Sequence, residues 1–286
     1  MSKIKFTKMV AAGNDFIVLD NRNYRIASKE KLAALSRKVC RRTFGIGADG
    51  LLVVDRSRRA DARMRIFNAD GSEAEMCGNG SRCFALWYAR SVKKASMALS
   101  VETIAGIIHA HVRQDMVRVN LTSPKGFRLD VPVAGLSKVS ARALKVNFID
   151  TGVPHAVIFV ENADVIDVNA LGREIRYHKA FAPRGTNVDF VEVLNDHFIE
   201  IRTYERGVEA ETLACGTGSV ASALVTGYKI AAAAVLKPDT AVERAIDVQT
   251  RSGEVLKIYF TLQGEKFSGV WLEGKAEIIC EGDYYV

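Results

Sequence analysis

The run Glu73-Ala74-Glu75-Met76-Cys77-Gly78-Asn79-Gly80-Ser81-Arg82 is echoed far downstream by Glu211-Thr212-Leu213-Ala214-Cys215-Gly216-Thr217-Gly218-Ser219. In both, a thiol precedes Gly-x-Gly-Ser, and an apolar or Ala-rich run with helical character follows. This pattern predicts two helices, each with a cysteine at its N-terminus. Two matched thiols in two similar halves of one chain point to paired chemistry.

The segments around the motifs recur in the same order. Upstream of the first lie the expected strands Lys3 to Met9 and Phe16 to Asp20, with a tight polar loop over Ala11 to Asp15 between them. A helix capped by Ser28 follows, with Leu32, Leu35 and Val39 at helical spacing, and then the strands Leu51 to Val54 and Ala62 to Phe67. Upstream of the second motif the reading repeats: strands Val146 to Asp150 and Ala156 to Val160 around the loop Thr151 to His155, a helix Asn169 to Phe181, and strands Val188 to Val191 and Ile199 to Tyr204. Each thiol motif leads into its helix, Arg82 to Tyr88 in one case and Gly216 to Val235 in the other, and then into more strands. Those strands lie between Ser100 and Leu121 in the first half, and at Ile246 to Gln249 and Glu254 to Leu262 in the second.

A duplicated α+β unit of about 120 to 140 residues accounts for this order and suits a domain-sized core. The cluster of turn-formers at Thr122 to Gly126 is the expected linker, and the tail from about 268 to 286 is expected to complete the first sheet. The expected domains are therefore 1–121 with about 268–286, carrying Cys77, and 122–267, carrying Cys215.

Composition narrows the partners. The 286 residues are 48% hydrophobic, ample for two cores, and the net charge of +7 is scattered, with no basic block interleaved with aromatics. Arg56-Ser57-Arg58-Arg59 reads as a solvated loop, so no nucleic acid is expected. The cysteines, Cys40, Cys77, Cys83, Cys215 and Cys280, are sparse, odd in number and without metal-ligand spacing, which favours free thiols in a cytoplasmic setting and no metal. No segment approaches the length of a membrane span, and no signal-peptide core is evident, so no membrane association is expected.

A helix N-terminus offers unpaired N–H groups and a positive dipole end, so a thiol there is expected to ionise more readily. The neighbouring glycines let backbone amides approach an anion. Two such ends facing each other suit stereoinversion at a carbon next to a carboxylate, where one group removes a proton and another delivers one to the opposite face.

Gly13-Asn14-Asp15-Phe16, Phe67-Asn68-Ala69-Asp70-Gly71-Ser72, Met76-Cys77-Gly78-Asn79-Gly80, Gly185-Thr186-Asn187-Val188, and Tyr204-Glu205-Arg206-Gly207 through Ala214-Cys215-Gly216-Thr217-Gly218 together resemble the diaminopimelate epimerases. The resemblance spans nearly the whole chain in the family's order. It implies two like-folded domains, each a mainly antiparallel, barrel-like sheet around a central helix, with the active site in the cleft between them. It also implies interconversion of LL- and meso-diaminopimelate, on the route to lysine and peptidoglycan, with no cofactor. Cys77 and Cys215 are then the acid/base pair. The amides of Gly78, Asn79, Gly216 and Thr217 hold the reacting carboxylate, and Asn14, Asn68, Asn187 and Arg206 fix the substrate's other groups. Glu205 lies near the reacting amine and His155 near the thiols. Val153 stands where many members of the family carry Asn, and Gly50 where some carry Gln. A small-molecule substrate is the only ligand implied, and a homodimer is an expectation of the same kind.

A related two-thiol racemase for proline or hydroxyproline is the nearest rival, but such enzymes usually carry His in place of Asn79, and a compact ring needs no distal Arg206. A thiol redox or binding protein would use the same cysteines through a disulfide. Cys40, Cys83 and Cys280 are expected to be buried small hydrophobes, with Cys83 facing core.

Overall fold

The structure is a computed structural model that describes residues 3–136, 144–234 and 240–285. Strands β1 (Lys3–Ala11) and β2 (Asn14–Asp20) form a hairpin. Its two-residue turn places Ala12 at φ 49° and Gly13 at φ 78°, the left-handed pair that matches the twist of the strands. A single turn, α1 (Asn21–Tyr24), precedes α2 (Lys29–Val39), whose N-terminus is capped by the Ser28 hydroxyl accepting from the Lys31 N–H. β3 (Gly50–Asp55), β4 (Ala62–Asn68) and the two-residue β5 (Glu73–Ala74) lead to α3 (Gly78–Ser91), followed by β6 (Ser96–Thr103), β7 (Gly106–Arg113) and β8 (Met116–Asn120).

The second run is β9 (Lys125–Val133), β10 (Leu144–Asp150), β11 (Pro154–Val160), α4 (Val168–Arg176), β12 (Asn187–Asn195), β13 (Phe198–Glu205), β14 (Ala210–Thr212) and α5 (Gly216–Ala233). β15 (Val242–Gln249), β16 (Val255–Gln263), β17 (Lys266–Lys275) and β18 (Glu277–Tyr285) complete the chain. Contacts divide it into two compact units, Met1–Asn120 with Glu273–Val286, and Leu121–Leu272.

In the first unit β18 pairs antiparallel with β1, and β1 with β2. The sheet continues through the parallel pair β2–β3, antiparallel β3–β4, parallel β4–β6, and antiparallel β6–β7 and β7–β8. Helix α3 contacts every one of these strands, so the sheet wraps it. α3 accordingly has no exposed face near its start: Gly78 through Leu86, the polar Asn79, Ser81 and Arg82 included, are all buried. α2 covers the outer face, where Leu32, Leu35 and Val39 pack on Ile17, Leu19, Leu51, Val53 and Phe67. β3 lies between those two helical layers, which is why Leu51-Leu52-Val53-Val54 is an unbroken apolar run.

The second unit repeats this order: antiparallel β9–β10 and β10–β11, parallel β11–β12, antiparallel β12–β13, parallel β13–β15, antiparallel β15–β16. α5 takes the inner position, against β10, β11, β12, β13, β15 and β16. α4 takes the outer one, packing Val168 and Ile175 with Phe190 and Tyr204. The fold is α+β and mostly sheet, with a buried central helix in each unit.

The structure differs from the sequence reading at several places. β9 was not anticipated, because Asp130 and Pro132 interrupt its pattern; Pro132 nonetheless lies opposite Lys145 in the ladder with β10. The helix expected over Asn169 to Phe181 stops at Arg176 and resumes as a 3-10 turn, Lys179–Phe181. His178 breaks it: its backbone is extended, its Nδ1 accepts from the Ala180 N–H at 3.2 Å, and its Nε2 donates to the Ala134 carbonyl at 3.1 Å. Pro154 and His155, expected in a loop, begin β11. Val235, the expected end of α5, lies outside the described residues.

The wrapped helix makes the first core sensitive to truncation. Phe84→Ala, at a side chain with no exposed surface, is expected to lower unfolding stability by about 3–5 kcal/mol. Phe44→Ala, at a ring 75% exposed, is expected to change it by less than about 0.5 kcal/mol. Urea unfolding followed by circular dichroism measures both.

Candidate active site

In the first unit Cys77 is the N-cap of α3, with extended backbone, and its sulfur accepts from the Gly80 N–H at 3.4 Å. A Cβ on Gly80 would come within 3.2 Å of the Leu52 side chain and 3.5 Å of the Cys77 Cβ, so glycine lets this turn close on the sulfur. A directed chain of amides runs beside it. The buried Arg82 donates to Asn79 Oδ1 at 2.9 Å, Asn79 Nδ2 donates to Asn14 Oδ1 at 2.6 Å, and Asn14 Nδ2 donates to Asp49 Oδ2 at 3.0 Å. Arg42 bridges Asp49 and Asp15 at 2.7 and 2.9 Å, and Lys8 pairs with Asp15 at 3.0 Å. Burial would raise the Asp15 carboxyl, but bonds from Arg42 and Lys8 outweigh it and hold the group below its ordinary value.

Asn14, Gly78 and Asn79 are therefore brought together with Cys77. Asn68 shares that sheet edge, opposite Gly50, which in turn lies beside Phe16. Its side chain, however, donates to the Ser72 hydroxyl at 2.9 Å and shapes the turn before the motif. Gly50 has a local reason to be small: a Cβ there would sit 3.0 Å from the Phe67 carbonyl oxygen and 3.5 Å from the Phe16 ring.

In the second unit Cys215 is the N-cap of α5 and is buried, 6% exposed. Its sulfur makes no cap hydrogen bond and instead lies 3.4 Å from the Thr217 hydroxyl. That hydroxyl is 3.0 Å from His155 Nε2, and His155 Nδ1 is 2.7 Å from Asp189 Oδ2. Asn187 Nδ2 also reaches His155 Nε2, at 3.3 Å, while its Oδ1 accepts from the Arg206 N–H at 2.7 Å. The Arg206 guanidinium donates to the Arg184 carbonyl at 3.3 Å. Thr151 Oγ1 anchors the first turn of α5 by donating to the Thr217 carbonyl at 2.9 Å. Gly218 copies Gly80, since a Cβ there would meet Asp189 Oδ1 at 2.4 Å. Val153 sits in the turn between β10 and β11, its carbonyl accepting from the Thr151 N–H at 3.1 Å.

The expectation that both thiols ionise more readily is corrected at Cys215. Burial pushes this thiol well above its ordinary value, and the Glu205 and Asp189 carboxylates push it further, against weaker help from the Thr217 hydroxyl and the Gly218 N–H. Cys215 therefore rests as a thiol. Glu205, at the end of β13, bears on the sulfur as a charge. Asp189 escaped the sequence reading altogether. The signal was an acid inside the apolar strand Val188-Asp189-Phe190-Val191, where a buried carboxylate needs a partner.

All five cysteines are free; Cys40 and Cys83 are buried as expected, whereas Cys280, in β18, is exposed rather than buried. Among the described residues no His, Cys, Asp and Glu side chains cluster as a metal site would require, and no helix is long and apolar enough to cross a membrane.

The family model for diaminopimelate epimerase matches residues 6–126 and 147–279. The chain belongs to the diaminopimelate epimerase family. It is 44% identical to the diaminopimelate epimerase of Methanothrix thermoacetophila, over 99% of this chain and 96% of that one. It is 42% identical to that of Methanocella arvoryzae, over 99% and 97%, and 41% identical to that of Aquifex aeolicus, over 98% and 97%. Among solved structures, a PhzF-family phenazine biosynthesis protein from Bacillus anthracis superposes with a TM-score of 0.74 at 19% identity, covering 100% of both chains. A probable proline racemase from Agrobacterium radiobacter gives 0.69 at 16% identity, covering 99% of this chain and 92% of that one. At such identities these two show the shared fold alone.

The raised Cys215 thiol has a thermodynamic consequence. Folded protein keeps this proton at pH values where the unfolded chain, near 9.0, has lost it, so the stabilisation is complete below that pH and declines as pH rises further. Urea unfolding between about pH 8 and pH 10 is expected to show a steeper loss of stability for the wild type than for Cys215→Ala.

Proposed function

We propose that this chain interconverts LL- and meso-2,6-diaminopimelate, with Cys77 and Cys215 as the acid/base pair at the α-carbon. The observation that carries this reading is the repeated thiol: each unit sets one cysteine at the first turn of its buried central helix, within a chain that is over 40% identical to diaminopimelate epimerases along its length. The protonated Cys215 is suited to deliver a proton in the resting form, which leaves Cys77 to remove one. After one turnover the roles are exchanged.

The α-proton is a very weak acid, and the developing enediolate needs stabilisation. The first-turn amides of α3 and α5, from Gly78, Asn79, Gly216 and Thr217, supply donors of the right kind, each worth about 3 kcal/mol when aimed at developing charge. Asn14, Asn68, Asn187, Glu205 and Arg206 are the proposed contacts to the substrate's ammonium and distal groups. Asn187 is supported by its position between His155 and the Arg206 backbone. Five free thiols support a reducing, cytoplasmic setting. The homodimer rests on the resemblance alone.

Incubating the reduced protein with LL-diaminopimelate in D2O, with chelator present and pyridoxal phosphate absent, is expected to give deuterium at the α-position and meso product by NMR. No exchange and no product would sink the proposal. Cys77→Ala and Cys215→Ala are each expected to lower the rate by about 10²–10⁴-fold or more, whereas Cys83→Ala, inside the α3 core, leaves it nearly intact.

A further inference from the structure

The second unit buries a polar chain that a two-thiol reaction does not by itself require. His155 and Asp189 both have no exposed surface and stand on the neighbouring parallel strands β11 and β12. Asp189 receives His155 Nδ1 on one oxygen, at 2.7 Å, and the Thr203 hydroxyl on the other, at 2.8 Å, from its register partner on β13. His155 Nε2 faces the Thr217 hydroxyl and the Asn187 amide, and the Thr217 hydroxyl faces the Cys215 sulfur.

The donor and acceptor roles follow from the chemistry of each group. The Arg206 N–H can only donate, so it fixes Asn187 with Oδ1 toward itself and NH2 toward His155. An NH2 can only donate, so His155 Nε2 is an acceptor. The ring proton is then on Nδ1, where the Asp189 carboxylate accepts it. The Thr217 hydroxyl can donate to the same Nε2 and accept from the Cys215 S–H. The result is a continuous path from sulfur to imidazole to buried carboxylate.

We propose that Asp189 is a positioning residue that holds His155 with Nε2 as acceptor, so that the Thr217 hydroxyl relays a proton between the Cys215 sulfur and His155. In the forward step the S–H bond breaks and its proton passes to Thr217 Oγ1, while the Thr217 hydroxyl proton passes to Nε2. The products are a thiolate and an imidazolium paired with Asp189, with net charge unchanged. The reverse step restores the thiol.

Such a relay meets a need the site creates. Burial and the Glu205 and Asp189 carboxylates disfavour the Cys215 thiolate, so in the absence of substrate a base within reach eases its formation. The pair resembles in logic a buried carboxylate that orients and stabilises an imidazole beside a nucleophile. Gly218 fits the same reading, because the absence of a side chain there lets the start of α5 close over His155 and Asp189.

This inference deepens the acid/base role of Cys215 and rests on it, so its test uses no substrate. Alkylation of Cys215 by iodoacetamide, read as a function of pH by mass spectrometry of its peptide, reports thiolate formation directly. Asp189→Asn keeps the shape and removes the charge, and Thr217→Val removes the hydroxyl. In each the alkylation rate near neutral pH is expected to fall about 10- to 100-fold, the range for losing a charge-assisted hydrogen bond, with the profile moved to higher pH; for Asp189→Asn this is the reverse of what losing a carboxylate charge near the sulfur does by itself, so the direction of the shift is diagnostic. Thr217→Ser is expected to keep the wild-type profile.

Folded Thr217→Val protein whose profile overlays the wild type, or folded Asp189→Asn protein whose profile overlays it or moves to lower pH, would overturn the relay and leave His155 and Asp189 as packing and local charge. Should Asp189→Asn fail to fold, the Thr217 pair decides the matter alone. Slowed alkylation in the variants, combined with no turnover of diaminopimelate by the wild type, would keep the relay and remove the substrate.

Discussion

Each unit is built on a helix whose N-terminus is buried, and buried N–H groups need acceptors. A solvent-exposed helix start can rely on water; α3, buried from Gly78 through Leu86, cannot. The chain answers with a thiol at the N-cap and glycines one and three residues after it, which brings amides and sulfur together inside a wrapped sheet. Reactivity at the sulfur and packing of the helix are then one problem. The sheet order, the outer helix and the short hairpins serve to hold that helix start where strand ends converge.

Within this common frame the two copies have different chemistry. In both, the residue between the two glycines bonds to one of the first two residues of the hairpin's second strand. In the first unit that contact is Asn79 to Asn14, amide to amide, continued by Arg82 on one side and Asp49 on the other. None of the two central groups titrates near neutral pH, so the chain is a rigid positioning device beside Cys77. In the second unit the corresponding contact is Thr217 to His155, hydroxyl to imidazole, backed by Asp189. An imidazole, a side chain that can accept or donate a proton, stands where the first unit has an amide, which cannot. Pseudo-equivalent sites on a duplicated fold have thus diverged at the hydrogen-bonding partner of the helix start rather than at the thiol.

The sequence made the frame readable because its signals are local. Alternation in Lys3 to Met9, the Ser28 cap and the unbroken run Leu51 to Val54 each depend on a few adjacent residues, and each became the expected element. Elements set by distant partners were harder to read. β9 exists because β10 pairs with it, against the local advice of Asp130 and Pro132. The helix expected through Phe181 is cut because the His178 ring finds the Ala134 carbonyl, 44 residues away. The site followed the same division. The thiols and their glycines lie in contiguous motifs, whereas Asp189 gains its meaning from His155, 34 residues earlier, and from Thr203 on the next strand.

The same reasoning explains why the protonation preference of Cys215 is not deducible from its motif. The helix dipole acts identically at both N-caps, and the motif encodes only that contribution. Desolvation and nearby carboxylates are set by what the tertiary fold packs around the sulfur, and at Cys215 they outweigh the helix. On the proposed reading, two nearly identical motifs therefore carry an acid in one place and a base in the other. A reaction that must remove a proton on one face and add one on the other needs that asymmetry in its resting state, since two identical thiolates would have no proton to give and two identical thiols no base to begin with.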